Sequence, residues 1–438
     1  MKNLSPFQII LFVVAGIAII AGVFLFAFKQ QKSTTDVFPV TMWGTVDYDL
    51  ITGLTDEIIL KDRDSINLTY TQISDTSFEK ELVEALAEGR GPDMVILPED
   101  LIVKHRNKLF TIGYDFFDER SYKDTFIEEG EIFLKNDGII AFPLMIDPMI
   151  MYWNRTLFTN ASISQPPRYW DQVVAYTPKL TSSDSSFNIF RSAVSLGEFQ
   201  NILHAKSIFT TLLLQSGNKI VSKGLSQGIE ENIEVYNVIL DENLGYQIRP
   251  AEAALSFFTQ FANPARDVYT WNRSLPKSQE MFVAGDLAVY FGFASEYNLI
   301  RQKNPNLNFD IALMPQSRSG TTDAYGKMYG VAITKNSNNV AGAFDAITRM
   351  TDPDILKALE SKTFLPPVRR DLISDKPNDA VMSVFYDAAI RSKGVFDIDP
   401  IETERIYKTM VESFISGRLN ISEAVDRAAT EMRQLLGI

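Results

Sequence analysis

From Phe38 to Leu97 the chain alternates between short apolar runs and helical patterns, and this alternation narrows its possible folds more than any other feature. FPVTMW (Phe38–Trp43) has a strand pattern, and Tyr48–Lys61 spaces its apolar residues three and four apart, as a helix does. INLTYTQI (Ile66–Ile73) alternates with period two. FEKELVEALAE (Phe78–Glu88) is again helical, and DMVIL (Asp93–Leu97) is a short buried strand. Glycines in the intervening GRGPD end the helix before it. Strand, helix, strand, helix, strand predicts an α/β fold built on a parallel, doubly wound sheet. Ligands of such sheets sit beyond the carboxyl ends of the strands. Those ends are Trp43–Tyr48 and Pro98–Asp100.

The composition excludes several chemistries. There is no cysteine, so disulfides, thiolate metal sites, cysteine nucleophiles and acylated cysteines are ruled out. With only His105 and His204, a histidine metal site is not expected, and no cofactor is. The formal net charge is −13, and the first 32 residues contribute only lysines to it. So acidic a body repels phosphate backbones and argues against nucleic acid as a partner. At 438 residues with 45% apolar content, the chain can fill the cores of two domains or three.

Phe7–Phe28 is apolar throughout and carries no charge. As a helix it would span roughly 33 Å at 1.5 Å per residue, enough to cross a bilayer core. No small-x-small cleavage pattern precedes Lys29, so an uncleaved anchor is expected, with a cleaved signal peptide as the alternative.

Beyond the first three strands, Gly138–Phe158 is long for one strand and holds Pro143 and Pro148. It predicts a crossing segment or two offset strands. Leu203–Gln215, Pro250–Phe261 and Ser278–Ala284 read as helices, Phe309–Met314 and Lys327–Thr334 as strands, and helices dominate from Asn339 onward. GLSQG (Gly224–Gly228) matches a nucleophile elbow, but both histidines precede Ser226 and no apolar strand leads into it, so it reads as a flexible loop. Asp47, Asp93, Glu99 and Asp147 are carboxylates at strand ends that face a plausible cleft. They could work in pairs on a glycoside, or could accept hydrogen bonds from ligand hydroxyls. Trp43, Tyr48, Tyr152, Trp170, Trp271, Phe291, Tyr325 and Tyr329 lie at element ends or in loops. Aromatic faces of this kind stack on sugar rings, and Trp43 and Trp271 are the favoured platforms. Trp153 alternates with Met149 and Met151 and reads as core.

In sequence order, several stretches resemble the extracellular solute-binding proteins of bacterial ABC importers, in the carbohydrate-binding group that includes maltose-binding protein. VTMWGTVDYDLITGLTDEI resembles that family's first strand, ligand loop and helix. ELVEALAEGRGPDMVIL resembles its next helix, turn and third strand, and IIAFPLMIDPMIMYWNRTLF its first crossing between lobes. YWDQVVAY is similar to a Trp-Asp-Glu helix start, with Gln172 in place of the acid. SQEMFVAGDLAVYFGFAS resembles the second crossing, MYGVAITKNSNNVAGAFDAITRM the third, and IYKTMVESFISGRLNISEAVDRAATEM the terminal helix pair. The resemblance covers nearly everything after residue 37.

The resemblance implies an α/β, two-lobed periplasmic-binding-protein-like fold (type II) with interlobe crossing strands, preceded by one transmembrane helix. The bounds it suggests are a tail at 1–6, the anchor at 7–28, a linker at 29–36 and a binding domain at 37–438. Lobe 1 would hold about 37–143 and 292–327, and lobe 2 about 144–291 and 328–438. A carbohydrate would be trapped between the lobes by hinge closure and handed to the transmembrane subunits of a permease. By position, the ligand contacts would be Trp43, Asp47, Tyr48, Glu99, Asp147, Tyr152, Trp271, Tyr325 and Tyr329. Phe291, Gly292 and Ser295 would join them, Gly292 by letting backbone approach the ligand. Without a ligand, a tight strand-to-helix turn would account for Gly292 equally. The missing lipoprotein cysteine implies that the apolar helix is the tether, with the lobes outside the membrane. Ser222–Asn243 looks longer than the family core needs. No catalysis, metal or cofactor is implied, and a monomer is expected. The alternatives are another small polar solute (a polyol, polyamine or sugar phosphate) or a tethered glycoside hydrolase.

Overall fold

The computed structural model describes residues 39–61, 67–186, 188–225, 234–318 and 321–437. One ten-stranded sheet runs through the molecule. Its strands are β1 (Val40–Gly44), β2 (Leu68–Gln72), β3 (Met94–Pro98), β4 (Phe142–Asn154) and β5 (Ser182–Ser183), followed by β6 (Ile189–Val194), β7 (Leu287–Phe293), β8 (Phe309–Leu313), β9 (Ala324–Ile333) and β10 (Ser392–Lys393). The order is β2-β1-β3-β9-β4-β7-β6-β5, with β8 also on β4 and β10 also on β9. The opening alternation forms as expected, with β1 pairing in parallel with both β2 and β3.

Strand β4 explains the two lobes. Its first half, Phe142–Pro148, pairs antiparallel with β9 in the lobe 1 sheet. Its second half, Met149–Asn154, lies between β7 and β8 in lobe 2, antiparallel to both. Gly138–Phe158 is accordingly not one strand: it holds a two-residue strand at Gly138–Ile139, the thirteen-residue crossing strand and a helix at Arg155–Asn160, so of the two expected arrangements the crossing segment is the one that forms. Proline lacks the N–H a ladder needs. Pro143 lies opposite Gly330, where the β4–β9 register shifts, and Pro148 lies at the change of partners, so neither interrupts a regular ladder.

The pairing also corrects the expected lobe bounds. Residues 292–313 belong with lobe 2, because β7 and β8 pair with the second half of β4. Residues 328–363 belong with lobe 1, because β9 pairs with β3 and the helices Val340–Met350 and Pro353–Thr363 pack on helix Tyr48–Lys61. The terminal helices Pro400–Ile415 and Ile421–Leu436 pack on lobe 2. Ser222–Asn243 includes an antiparallel hairpin, Val221–Leu225 with Glu234–Val238. Among the described residues no helix is long and apolar enough to cross a membrane, and the expected anchor at 7–28 lies outside them.

Two buried carboxylates fix the crossing strands. Glu296 follows β7 and accepts four hydrogen bonds: from the Tyr290 hydroxyl, Gln279 Nε2, the Phe293 backbone N–H and His204 Nε2. Burial opposes ionisation of Glu296, but the His204 contact and these donors outweigh it and hold the carboxyl below its ordinary range. This network also explains the glycine before it. A Cβ on Gly292 would lie 2.6 Å from Glu296 Oε1 and 2.6 Å from Tyr290 Cε1. Gly292 therefore makes room for a buried side-chain network. The packing of Glu296 and Tyr290 requires glycine here whether or not a ligand approaches.

Glu99 is the second anchor. It is fully buried below β9, where Tyr325 donates its hydroxyl hydrogen at 2.6 Å and Met328 its backbone N–H at 2.9 Å. Burial, aided by neighbouring Asp100, pushes its carboxyl up to about 8. The folded protein thus keeps a proton that the unfolded chain releases near the ordinary value of 4.5. Stability from this group is full below that value and is lost as pH rises through about 8.

Gly292→Ala is expected to lower unfolding free energy by about 1–3 kcal/mol through overpacking, measured by denaturant titration. In a Glu296→Ala background that loss shrinks without vanishing, because the Tyr290 ring stays in place. Glu99→Gln cannot ionise, so its melting temperature should fall less steeply between pH 5 and pH 8 than the wild type's; equal slopes would show that Glu99 does not carry this dependence.

Candidate functional site

The strand directions build a cleft. Strands β1, β2 and β3 are parallel and end at Gly44, Gln72 and Pro98, so their carboxyl ends share one edge of lobe 1. Strand β4 leaves that sheet past the same edge. In lobe 2, β6 and β7 are parallel to each other and β7 is antiparallel to β4, so their carboxyl ends point back toward lobe 1. The two sets of strand ends meet at Asp147–Pro148 of β4. There the Ala294 N–H donates to the Pro148 carbonyl and the Ser295 N–H donates to Asp147 Oδ1, both at 3.0 Å.

The sequence-predicted residues fall into two groups. Trp43, Asp47, Tyr48, Asp147, Ser295 and Tyr329 reach solvent around these strand ends. Trp43 is half-buried in β1. Asp47 accepts the backbone N–H groups of Asp49 and Leu50, which caps helix Tyr48–Lys61. Tyr48 is 50% exposed, and its ring stacks at 6.4 Å on Tyr70, whose hydroxyl donates to the Val46 carbonyl. An aromatic shelf therefore stands on the lobe 1 side, fixed by its second ring.

The other six do not line an open surface. Glu99, Tyr152, Trp271, Phe291, Gly292 and Tyr325 are buried. Trp271 has no exposed surface and donates its indole N–H to Asn201 Oδ1, so it serves the lobe 2 core and offers no face to a sugar. Phe291 packs edge-on against Trp170. Tyr152 donates its hydroxyl to the Phe293 carbonyl, and Tyr325 donates to Glu99. All four sit on strands or in turns whose apolar surroundings claim the ring, which their position near an element end did not reveal. Asp93 also leaves the group of candidates. It sits where β3 begins, on the far edge, and accepts from Thr41 and Ser337. Of GLSQG, Gly224 and Leu225 lie in the hairpin, and the rest falls outside the described residues.

One cleft residue escaped the sequence reading. Lys327 of β9 is half-buried, and its ammonium lies 5.5 Å from the centre of the Tyr329 ring. Period-two alternation with Tyr325 and Tyr329 places it on their face of the strand, and that was the available signal. Burial acts to lower its pKa, but Tyr329, Asp100 and Glu99 prevail and hold the ammonium charged. Burial also pushes Asp147 up to about 6, against the hydrogen bonds from Ser295. The cleft floor thus combines a charged donor, a carboxylate acceptor and a phenol ring. Among the described residues no group of three or more metal-ligating side chains converges.

The chain matches the family described as bacterial extracellular solute-binding protein over residues 55–356, more than half its length. A protein of Brucella abortus (strain 2308) described as a binding protein is 23% identical over 313 residues, covering 70% of each chain. Solved structures share the fold at low identity. A cyclic α-maltosyl-1,6-maltose binding protein from Arthrobacter globiformis superposes with TM-score 0.71 at 13% identity, covering 91% of this chain and 98% of that one. A cyclo/maltodextrin-binding protein complexed with maltotetraose gives 0.70 at 14%, with the same coverages. An ABC transporter solute-binding protein from Thermotoga lettingae, bound with α-D-tagatose, gives 0.65 at 17%, covering 91% and 100%. With the matched span, the two-lobed fold and the cleft in agreement, the chain belongs to the bacterial extracellular solute-binding protein family.

Proposed function

We propose that this protein captures a carbohydrate between its lobes and delivers it to the transmembrane subunits of an ABC importer, acting as a monomer tethered by the helix expected at 7–28. The carrying observation is the cleft at the change of partners in β4. There Trp43, Tyr48 and Tyr329 offer rings, and Asp147, Ser295 and Lys327 offer polar groups, all reachable by solvent. Rings take the C–H faces of a sugar while flanking carboxylates and ammonium groups take its hydroxyls. Relatives of the same fold that hold maltotetraose or tagatose support this reading. The lobes are joined by crossing strands, and a solute touching both would favour the closed arrangement by its differential contacts. The reading is of a binding protein without catalysis. Of the four candidate carboxylates, Asp93 and Glu99 are engaged in structural hydrogen bonds.

The test is calorimetric titration of the full chain in detergent micelles against mono- and oligosaccharides, polyols, polyamines and sugar phosphates. Saturable binding of a sugar, a melting temperature that rises with its concentration and no product over hours are expected; turnover would overturn the binding reading, and tighter binding of a polyamine or sugar phosphate would overturn the carbohydrate. Trp43→Ala should weaken sugar binding, and because the half-buried ring also packs against the core it should lower the unliganded melting temperature too, by less than a fully buried truncation does. Trp271→Ala should instead cost about 3–5 kcal/mol of stability, as large core truncations do, read by denaturant unfolding without solute.

A further inference from the structure

We propose that Lys327 is a solute-contacting, specificity-determining residue, and that with Asp147 it reads two adjacent hydroxyl groups of an uncharged sugar. This rests on the carbohydrate reading above. Lys327 and Asp147 are direct partners across the antiparallel β9–β4 pair, so their side chains stand on one face of the sheet. Opposite charges so placed attract one another across the strands. Here they do not close on each other: among the described residues Lys327 has no carboxylate within ion-pair distance and no hydrogen-bond partner. Its ammonium lies over the Tyr329 ring instead, and Asp147 uses Oδ1 to accept the Ser295 N–H.

Each member therefore keeps unused capacity toward the cleft. The ammonium has three donors, and Asp147, whose hydrogen bonds come from the backbone and side chain of Ser295, has carboxylate lone pairs left for a further donor. Both side chains are half-buried, shielded enough to make a hydrogen bond count and open enough for a solute to reach. Two neighbouring hydroxyls satisfy both. One oxygen accepts from Lys327 Nζ, the next hydroxyl donates to Asp147, and the sugar's C–H face lies toward Tyr329.

The same geometry disfavours charged sugars. A uronate would gain Lys327 but meet Asp147, with Asp100 and Asp75 also acting on that ammonium. An amino sugar would gain Asp147 but meet Lys327. A balanced pair of opposite charges selects an uncharged diol between them.

The experiment uses the full chain in detergent micelles and isothermal titration with neutral sugars, their uronate and amino counterparts, and deoxy sugars lacking one hydroxyl of each vicinal pair. The neutral parent should bind best, and loss of the recognised hydroxyl should weaken binding to the wild type. Lys327→Met keeps the apolar stem and removes the donor. It should weaken binding by about ten- to a hundredfold, the size of one charge-assisted hydrogen bond, with the unliganded melting temperature retained. An unchanged affinity in Lys327→Met would overturn this inference and leave the carbohydrate reading standing. A uronate or amino sugar that outbinds its neutral parent would overturn the diol assignment. The deoxy series on the wild type decides the point even if the variant folds poorly, and silence of the wild type toward every sugar would overturn both the reading and the inference.

Discussion

Everything in this molecule hangs on a single strand shared by the two lobes. β4 exchanges β9 for β7 and β8 midway along its length, and that exchange sets where lobe 1 ends, where lobe 2 begins and where the cleft floor lies. A continuous ladder through both lobes holds each sheet in register while leaving only a few residues at the junction. Those residues, Asp147 and Pro148, are also the ones that receive the N–H groups of Ser295 and Ala294 from the returning chain. The interlobe junction and the strand ends that face the cleft are thus built from the same backbone.

Two buried acids support that junction in different ways. Glu296 has a donor for each of its lone-pair directions and can stay charged below the surface. Glu99 has two donors and a neighbouring acid, so burial raises its pKa and makes the crossing strand β9 sensitive to pH. The same residue type therefore locks one crossing and titrates under another. The number of donors decides between the two outcomes together with the neighbouring group, His204 beside Glu296 and Asp100 beside Glu99.

Lys327 and Trp271 mark the limits of reading chemistry from residue type. Trp271 is a large ring in a loop, the kind of residue that often meets a sugar, yet Asn201 and the lobe 2 core claim it entirely. Lys327 sits in an apolar-looking strand, yet it arrives half-buried at the cleft with its charge uncommitted. Whether a side chain packs or binds depends on what lies across from it, and sequence position alone does not supply that partner.

The sequence by itself determined the α/β class and the opening helices and strands, and it put Trp43, Asp47 and Tyr48 at a parallel strand end, where the structure leaves them open to solvent. These follow from apolar periodicity and from the rule that parallel strands present their carboxyl ends together, both of which are local. Only the tertiary structure decided which lobe takes 292–313 and 328–363, that Pro143 and Pro148 fit one strand, and that Gly292 accommodates Glu296. Each of these depends on strand partners distant in the chain. Pairing across such separations fixes which face a residue shows and what fills the space beside it, and no local pattern encodes that.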